Sequence, residues 1–308
     1  MTQQSRNVPS TTQPSLDVHA LAGQMMTGGR YWRSTQGLLV IPVLVFLLAL
    51  YVYPLSRLFV WSLFDPELTL RHYRALLDDV TYLRALQNTL EMSLGVTLIS
   101  LLLGYPLAYL MVTVSPRVRG VLVAIVLIPF WTSILVRTFA WVVILGRNGL
   151  INQAMLDLGV VNRPVALIYN MIGVQIGMVH VLLPFMILPL YGVMSRIDRS
   201  LVRAARSLGA PAHQAFLRVF LPLSVPGITA GCALVFLTAV GFYITPALLG
   251  GPGQITIATL IEMMVSDLLN WGFGATLGVV LLTVVGALFI VFSSLMGLDR
   301  LTGGDQPV

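Results

Sequence analysis

Long apolar runs alternate with short polar segments along most of this chain. Six runs approach the roughly 20 residues that an α-helix needs to cross a hydrocarbon core of about 30 Å. They cover residues 37–60, 89–112, 121–145, 167–191, 225–249 and 273–298. The pattern therefore predicts an all-α integral membrane protein with six transmembrane helices.

The two ends of the chain are more polar than its middle. Residues 1–35 are rich in Ser, Thr, Gln and Gly, with too little apolar content to pack. We expect a disordered tail at 1–35, a six-helix membrane domain at 36–300 and a second short tail at 301–308.

Composition supports the membrane class. Of 308 residues, 57% are hydrophobic and only 10% are charged, and the mean hydropathy is +0.88. Such a chain has too few charges to cover a soluble globule. A single cysteine, Cys232, excludes an internal disulfide and a cysteine-based metal cage.

The arginines distinguish the two sides of the predicted bundle. If the N-terminal tail is cytoplasmic, the spans place eleven arginines against four acids inside, and six arginines against seven acids outside. This bias follows the positive-inside rule. We therefore expect a multi-pass protein of the cell inner (plasma) membrane with both termini in the cytoplasm, and the net charge of +6 does not indicate a nucleic-acid partner.

One arginine-bearing stretch, residues 200–228, does not have the composition of a span. Ser200 is expected to cap a short helix, Gly209 to end it in a left-handed conformation, and Pro211 to start a second helix at its first position. Small Ala204 and Ala205 would let a partner's backbone come close. The stretch therefore predicts a helix–turn–helix docking surface.

The spacing within this stretch resembles the cytoplasmic coupling motif of binding-protein-dependent ABC importer permeases. Residues 203–205 are Arg-Ala-Ala, and Gly209, Val219 and Leu221-Pro222 follow at the family's separations. In that family the loop, here about 196–224, sits in a groove of the ATPase subunit. Arg203 stands where the family usually has Glu, which removes an acid suited to a helix N-terminus. The resemblance implies these coupling residues: Arg203, Ala204, Ala205, Leu208, Gly209, Pro211, Leu221 and Pro222.

Three further segments resemble the spermidine/putrescine permeases, and specifically the first of their two permease types. They are Gly-Tyr-Pro-Leu-Ala at 104–108, Ile-Pro-Phe-Trp-Thr-Ser at 128–133 with Arg-Thr-Phe-Ala-Trp at 137–141, and residues 241–252, which end in Gly-Gly-Pro. The resemblance implies a type I ABC importer permease fold and a transport subunit without a cofactor. Its implied partners are ABC ATPase subunits, a second permease of different sequence and a periplasmic substrate-binding protein.

Charged and imidazole groups inside the spans are candidate functional residues. Arg137 is costly in an apolar span and should face a partner or a water-filled cavity. Glu91 lies at a similar depth, so the two residues either clamp two helices together or Arg137 serves the pathway or its outer gate. His180 is expected to hydrogen-bond a neighbouring side chain, with contact to substrate as the alternative.

A set of aromatic and hydroxyl residues could line a cavity for a cationic amine, because ring faces attract cations. The set comprises Trp131, Thr132, Phe242, Tyr243 and Thr245. Aromatic residues also gather at bilayer interfaces as anchors. Polyamine permeases tend to carry acids near the segment 241–252, where this chain has Phe242, Tyr243 and Ala247. The cargo therefore stays open among a polyamine, a smaller amine and an amino-acid-like compound.

Other function classes need residues that this chain lacks. Catalysis would need a convergent set of ionisable groups, but away from the span ends the spans carry only Glu91, Arg137 and His180. No GxxxxGK[ST] loop is present, so ATP hydrolysis is expected in a separate subunit. We predict no catalytic or metal site, and a secondary transporter or channel for a small amine or amino-acid-like solute is the alternative.

Overall fold

The computed structural model describes residues 18–64 and 67–295, and for residues 18–40, 291, 292, 294 and 295 it describes the backbone alone. In chain order the α-helices are α1 (Val18–Leu63), α2 (Arg71–Asp78), α3 (Val80–Thr113), α4 (Pro116–Leu127), α5 (Ile134–Leu145), α6 (Leu150–Asp157), α7 (Met171–Met194), α8 (Arg199–Ser207), α9 (Ala212–Ala215), α10 (Leu221–Val240), α11 (Ile244–Leu249), α12 (Ile257–Glu262) and α13 (Trp271–Leu295). The all-α prediction is confirmed.

Six described segments are long and apolar enough to cross a membrane, which confirms the expected number of spans. They are Ile41–Leu63, Val80–Thr113, Ile134–Asp157, Met171–Met194, Ala212–Val240 and Trp271–Ile290. The helix α1 begins at Val18, inside the segment 1–35 for which composition favours disorder. The expected tail at 301–308 lies outside the described residues.

The predicted third span, 121–145, is not one continuous helix. It divides into α4, a 3-10 turn at Ile128–Trp131, and α5. Pro129 lacks the N–H that a continuing helix would use, and Thr132 adopts an extended backbone with ψ 142. The candidate span Ile134–Asp157 is interrupted after Leu145, where Gly146 leaves the helix.

The predicted fifth span, 225–249, is displaced toward the N-terminus. Helix begins at α9, continues through a π-helical turn at Phe216–Phe220 and runs to the end of α10 at Val240. Gly241 ends this helix, and α11 forms a separate short helix. The part of the docking stretch from Ala212 onward and the fifth span therefore form one helical rod.

The main core lies between α3, α7 and α10. Contacts divide the chain into two units after Arg57, and this core belongs to the unit that begins at Leu58. Met186 of α7 lies fully buried between two glycines: a Cβ at Gly104 would come within 3.0 Å of its Cγ, and one at Gly231 within 2.8 Å of its Sδ. Small residues let membrane helices approach closely, so these glycines set the spacing of the three helices.

A second apolar cluster lies at the N-terminal end of α3. It joins α2, α3, α12 and α13 through Leu76, Ala85, Ile257, Leu260, Phe273 and Leu277. The backbone N–H of Ile257 donates to Thr89 Oγ1 at 2.9 Å. This bond holds the start of α12 against α3, at the end of the bundle opposite to α8.

Candidate coupling surface and intramembrane cavity

The coupling segment, residues 196–224, begins with a capped helix. Asp198 caps α8: its Oδ1 accepts from the Ser200 backbone N–H at 2.8 Å, and its Oδ2 accepts from the Ser200 hydroxyl at 2.6 Å. These two bonds lower the pKa of Asp198, because they favour the charged carboxylate. The expectation that Ser200 is the cap was wrong, since an acid two residues earlier is the better acceptor.

The end of α8 forms a Schellman turn. Gly209 has φ +90 and its N–H donates to Arg206 O at 3.0 Å, while the N–H of Ala210 donates to Ala205 O at 3.1 Å. This pair of bonds satisfies the last carbonyls of the helix, and the left-handed residue between them favours glycine. The predicted role of Gly209 as a helix terminator is confirmed.

Pro211 precedes the next helix instead of occupying its first position. It is the N-cap of α9, with an extended ψ of 158. Leu208, at the apex of the turn, is 89% exposed, and Gly209 and Pro211 beside it are also exposed. The turn therefore presents an apolar knob that nothing in the described chain covers.

The two faces of α8 differ in chemistry. Successive residues of an α-helix are about 100° apart, so Arg199, Arg203 and Arg206 share one side, and exposed Ala204 and Leu208 point away from it. The arginine side lines a cavity of about 250 Å³. We call this space the arginine cavity; its other lining residues are Tyr109, Val112, Thr113, Val202, Ala212, Phe216 and Phe220.

Aromatic rings attach the coupling segment to α3. The ring of Phe216 meets those of Tyr105 and Tyr109 edge-on, with centroids 6.1 and 5.6 Å away, and Phe220 meets Tyr109 at 5.1 Å. Edge-to-face pairs of this kind contribute about 0.5–1.5 kcal/mol beyond area burial. The π-helical turn is thereby packed against the second span.

Two arginines cap the C-terminus of α3. The Arg119 side chain donates to Met111 O at 3.0 Å and Val114 O at 3.4 Å, and the Arg199 guanidinium donates to Val112 O. The last carbonyls of a helix lack intrahelical partners and carry partial negative charge. Arg199 thus joins the start of α8 directly to the end of the second span.

A second cavity lies within the spans, at the break between α4 and α5. This intramembrane cavity measures about 360 Å³. It is lined by Pro129, Phe130, Thr132, Ile134, Arg137, Val181, Leu182, Pro184, Phe185, Thr238 and Phe242. The predicted pathway residues Thr132 and Arg137 come together here with Phe242.

Arg137 does not pair with Glu91. In the described part of the chain its buried Nε has no hydrogen-bond partner. Glu91 is exposed on α3, where its Oε1 accepts from Gln87 at 2.6 Å, one turn away. The clamp interpretation was therefore wrong, because Glu91 bonds within its own helix while Arg137 lines the intramembrane cavity.

The remaining predicted pathway residues are scattered. Trp131 is 79% exposed and Tyr243 is exposed, while neither lines the intramembrane cavity. Thr245 is fully buried, with its hydroxyl 3.3 Å from that of Thr138 on α5. Thr245 therefore serves helix packing in this conformation.

His180 forms the expected hydrogen bond to a neighbouring side chain. Its Nδ1 accepts from Trp141 Nε1 at 3.1 Å, and the two rings meet edge-on with centroids 5.6 Å apart. This bond links α7 to α5, so the expected hydrogen bond is confirmed.

Sequence reasoning missed the cavity walls supplied by α7 and α10. Phe185 packs on Phe130 with centroids 5.2 Å apart, and Pro184 and Thr238 complete the wall. To place these residues, one must know which side of α7 faces the cavity. An almost uniformly apolar span has no periodic pattern that indicates this side.

The glycine-rich loop after α11 is held tightly at the opposite end of the bundle. Asn88 Nδ2 donates to Gly253 O at 2.9 Å and Ile255 O at 3.0 Å. A Cβ at Gly251 would lie 2.4 Å from Tyr169 O. Only glycine fits between the loop and the segment that precedes α7.

The chain is similar in sequence to a family of transport proteins and to individual permeases. The family described as "Binding-protein-dependent transport system inner membrane component" matches residues 98–298. The spermidine/putrescine transport system permease protein PotB of Escherichia coli (strain K12) is 38% identical over 224 residues, which cover 73% of this chain and 81% of that protein. The protein of that name from Haemophilus influenzae is 40% identical over 227 residues, covering 73% and 78%.

A solved structure has the same fold. A chain of a bacterial alginate ABC transporter, crystallised in complex with an alginate pentasaccharide-bound periplasmic protein, superimposes with a TM-score of 0.68 at 20% identity. The match covers 86% of this chain and 96% of that one. The predicted ABC importer permease fold is confirmed.

Proposed function

This chain belongs to the binding-protein-dependent transport system inner membrane components, and we propose that it imports a small organic amine as one permease subunit of an ATP-driven transporter. The chain is a multi-pass inner-membrane protein and its relatives are transport permeases. The observation that carries the proposal is the exposed turn of the coupling segment, a ready docking element for a separate motor subunit.

The proposed assembly has four kinds of subunit. A second, similar permease of different sequence pairs with this chain, two ATPase subunits bind on the cytoplasmic side, and a periplasmic binding protein delivers the cargo. Both termini are cytoplasmic, because the positive-inside rule then places the arginine-rich coupling segment inside. This orientation supports the assembly, since ATP is available only there.

The coupling turn is the proposed ATPase contact. Ala204, Leu208, Gly209 and Pro211 form its exposed surface, and the Schellman bonds hold this shape without help from a partner. Ala205 is half-buried on α8, and Leu221 and Pro222 begin α10; these three complete the residues proposed for coupling. Arg203 faces the arginine cavity and completes the segment from that side.

The aromatic rings and the Arg199 bond then provide a mechanical path. Movement of α8 displaces the end of α3 through Arg199 and the π-helical turn through Phe216. Because that turn continues into α10, the same movement reaches two spans of the central core. ATP-driven closure of the motor would thereby switch the permease between outward and inward access.

The intramembrane cavity is the proposed part of the pathway in this chain. It combines aromatic Phe130, Phe185 and Phe242, whose ring faces attract organic cations, with the hydroxyls of Thr132 and Thr238. The guanidinium of Arg137 also lines it, and its like charge opposes tight binding of a cation. Trp131, Tyr243, Thr245 and Glu91 lie outside its lining and are proposed to act as gate residues in another conformation. Spermidine and putrescine, named for the relatives, are the first candidates.

Uptake by the complete transporter tests this function. The chain should be co-expressed with its ATPase, second permease and binding protein. Uptake of labelled putrescine and spermidine should then be measured in whole cells, where the transporter keeps its natural orientation. We expect accumulation that requires the ATPase. In proteoliposomes loaded with ATP on the motor side, vanadate should abolish transport, because it arrests the hydrolytic cycle.

The matched control is an ATPase variant that binds but does not hydrolyse ATP. Uptake that persists with this variant, or that follows an ion gradient instead, would establish a secondary transporter or channel. Uptake of a labelled amino acid in preference to both amines would retain the importer and reject the amine cargo.

A further inference from the structure

The arginine cavity has an unbalanced positive charge. Arg199, Arg203 and Arg206 share one side of α8 at spacings of four and three residues, which places like charges next to each other on a helix. Arg199, in the first turn of α8, also opposes the positive end of the helix dipole. Repulsion among the three arginines favours an anion between them.

Within the described chain, the Asp198 carboxylate attracts Arg203 but does not line the arginine cavity. The lining of the arginine cavity contains no Asp or Glu. Asp198, at the start of α8, already accepts two hydrogen bonds from Ser200. Arg199 uses one nitrogen on the carbonyl of Val112, while Arg203 and Arg206 stay exposed.

The cavity lies at the C-terminal end of a candidate span. Val112 and Thr113 are the last residues of the span α3, and Tyr109, Phe216 and Phe220 add an aromatic wall. Arginine forks bind phosphate oxygens through paired N–H donors. Basic pockets between transmembrane helices at this depth suit lipid head groups.

The size of the cavity limits what it can hold. Its volume of about 250 Å³ is below the roughly 300–1,000 Å³ of sites for drug-sized ligands. A phosphate group with a short attachment fits, whereas a nucleotide does not. Thr113 contributes a hydroxyl beside the arginines.

We propose that the arginine cavity binds a phosphate-type anion at the membrane boundary, supplied by the head group of an anionic phospholipid or by free phosphate. Arg203 and Arg206 are its principal ligands, and Arg199 positions the site against α3. The site is separate from the ATPase contact, because Ala204 and Leu208 point to the opposite side of α8.

Lipid retention by the purified full-length chain tests this site. The wild type, Arg203→Gln, Arg206→Gln and the double variant should be titrated with phosphatidylglycerol or phosphatidylcholine in mild detergent, and retained lipid counted by native mass spectrometry. Each arginine near a lipid surface contributes about 1 kcal/mol, so each substitution should weaken phosphatidylglycerol retention about fivefold. Arg203→Lys should keep most of it.

Two controls make the outcomes distinct. Arg218→Gln removes an exposed arginine of the neighbouring π-helical turn that does not line the cavity, and it should retain lipid as the wild type does. A second arm adds millimolar inorganic phosphate without lipid. Thermal stabilisation of the wild type by phosphate alone, lost in the double variant, would assign the site to free phosphate and not to lipid.

Three results would overturn the proposal. One is equal retention of the two lipids by the wild type together with no stabilisation by phosphate. Another is equal loss in Arg218→Gln, which would indicate a diffuse surface charge. The third is unchanged lipid and phosphate binding in the double variant with release of the ATPase, which would assign these arginines to acidic residues of the motor.

Discussion

The hydroxyls of Tyr105 and Ser224 lie 3.0 Å apart, and this contact joins the second span to the first turn of α10. Ser224 is fully buried and also donates to Leu221 O at 2.8 Å. The ring of Tyr105 meets Phe216 of the coupling segment. A single side chain therefore connects the coupling segment, α3 and α10.

Tyr105→Phe should destabilise the permease while leaving the ring packing in place. A typical buried hydrogen bond contributes about 1 kcal/mol, and Ser224 keeps its bond to Leu221 O, so the loss should not exceed that value. Thermal unfolding in detergent measures it. Tyr109→Phe is the control, since Tyr109 contributes its ring to the same cluster, and a larger loss in this control would contradict the assignment.

Gly209→Val should release the ATPase. Its φ of +90 is unfavourable for a β-branched residue by about 1–2 kcal/mol, and space is not the cause, because a Cβ there would meet nothing within 4 Å. Co-purification of the ATPase and cargo uptake should both fall, with normal membrane insertion. Gly209→Asn should be milder because Asn tolerates this conformation; equal effects of Val and Asn, or full retention by Val, would refute the docking role.

The cap of α8 predicts a pH dependence. Bonds from Ser200 lower the pKa of Asp198 below its ordinary value of 3.8, so the unfolded helix binds a proton more readily than the folded one. The stabilisation is complete above that ordinary value and is lost as the pH falls through the lowered pKa. Limited proteolysis of the coupling segment should therefore be constant from about pH 8 to 5 and increase only in stronger acid.

Substitutions at Asp198 check the same cap. Asp198→Asn keeps an oxygen that can accept from the Ser200 N–H, so its proteolysis should be close to that of the wild type and lose the acid-induced rise. Asp198→Ala should be cleaved faster at every pH. Identical cleavage of Ala and Asn variants at neutral pH would show that the cap contributes nothing.

Gly251→Ala should disrupt the loop after α11, whereas Gly253→Ala should not. The new Cβ at Gly251 would lie 2.4 Å from Tyr169 O, a backbone atom, while one at Gly253 would meet nothing within 4 Å. Overpacking of this kind costs about 1–3 kcal/mol. Membrane expression and thermal unfolding of the two variants provide the comparison, and equal stability would contradict the close approach.

Arg137→Gln and Glu91→Gln should act independently. The two side chains form no ion pair, and effects of separated residues add within about 0.5 kcal/mol. Uptake should fall in Arg137→Gln because this residue lines the intramembrane cavity, and adding Glu91→Gln should not restore it. Recovery of expression or uptake in the double variant would show that Arg137 and Glu91 are paired after all.

Much of the coupling segment could be predicted because its signals are local. Gly209 ends α8 as its neighbours in sequence require, and the Schellman bonds join residues at most five positions apart. The predicted cap was Ser200, whereas the observed cap is Asp198, two residues earlier. Both side chains are good acceptors, so residue type alone does not distinguish them. The predicted helix start, Pro211, precedes the observed start, Ala212, by one residue.

The breaks in the third and fifth spans were only partly predictable. Pro129 and Gly241 signal an interruption, but the proline residues within α7 do not stop that helix. A proline ends a membrane helix only where no neighbouring group satisfies the freed carbonyls. That condition depends on adjacent helices, which lie far away in sequence.

The sequence by itself determined the membrane class, the number of spans and the turn chemistry of the coupling segment, because each follows from residue type over one helix length. Only the tertiary structure decided which way each helix faces. Nearly uniform apolar spans have no amphipathic pattern to specify their rotation, so close packing at glycines such as Gly104 and Gly231 sets it. That rotation leaves Arg137 beside the intramembrane cavity and apart from Glu91, which bonds within its own helix.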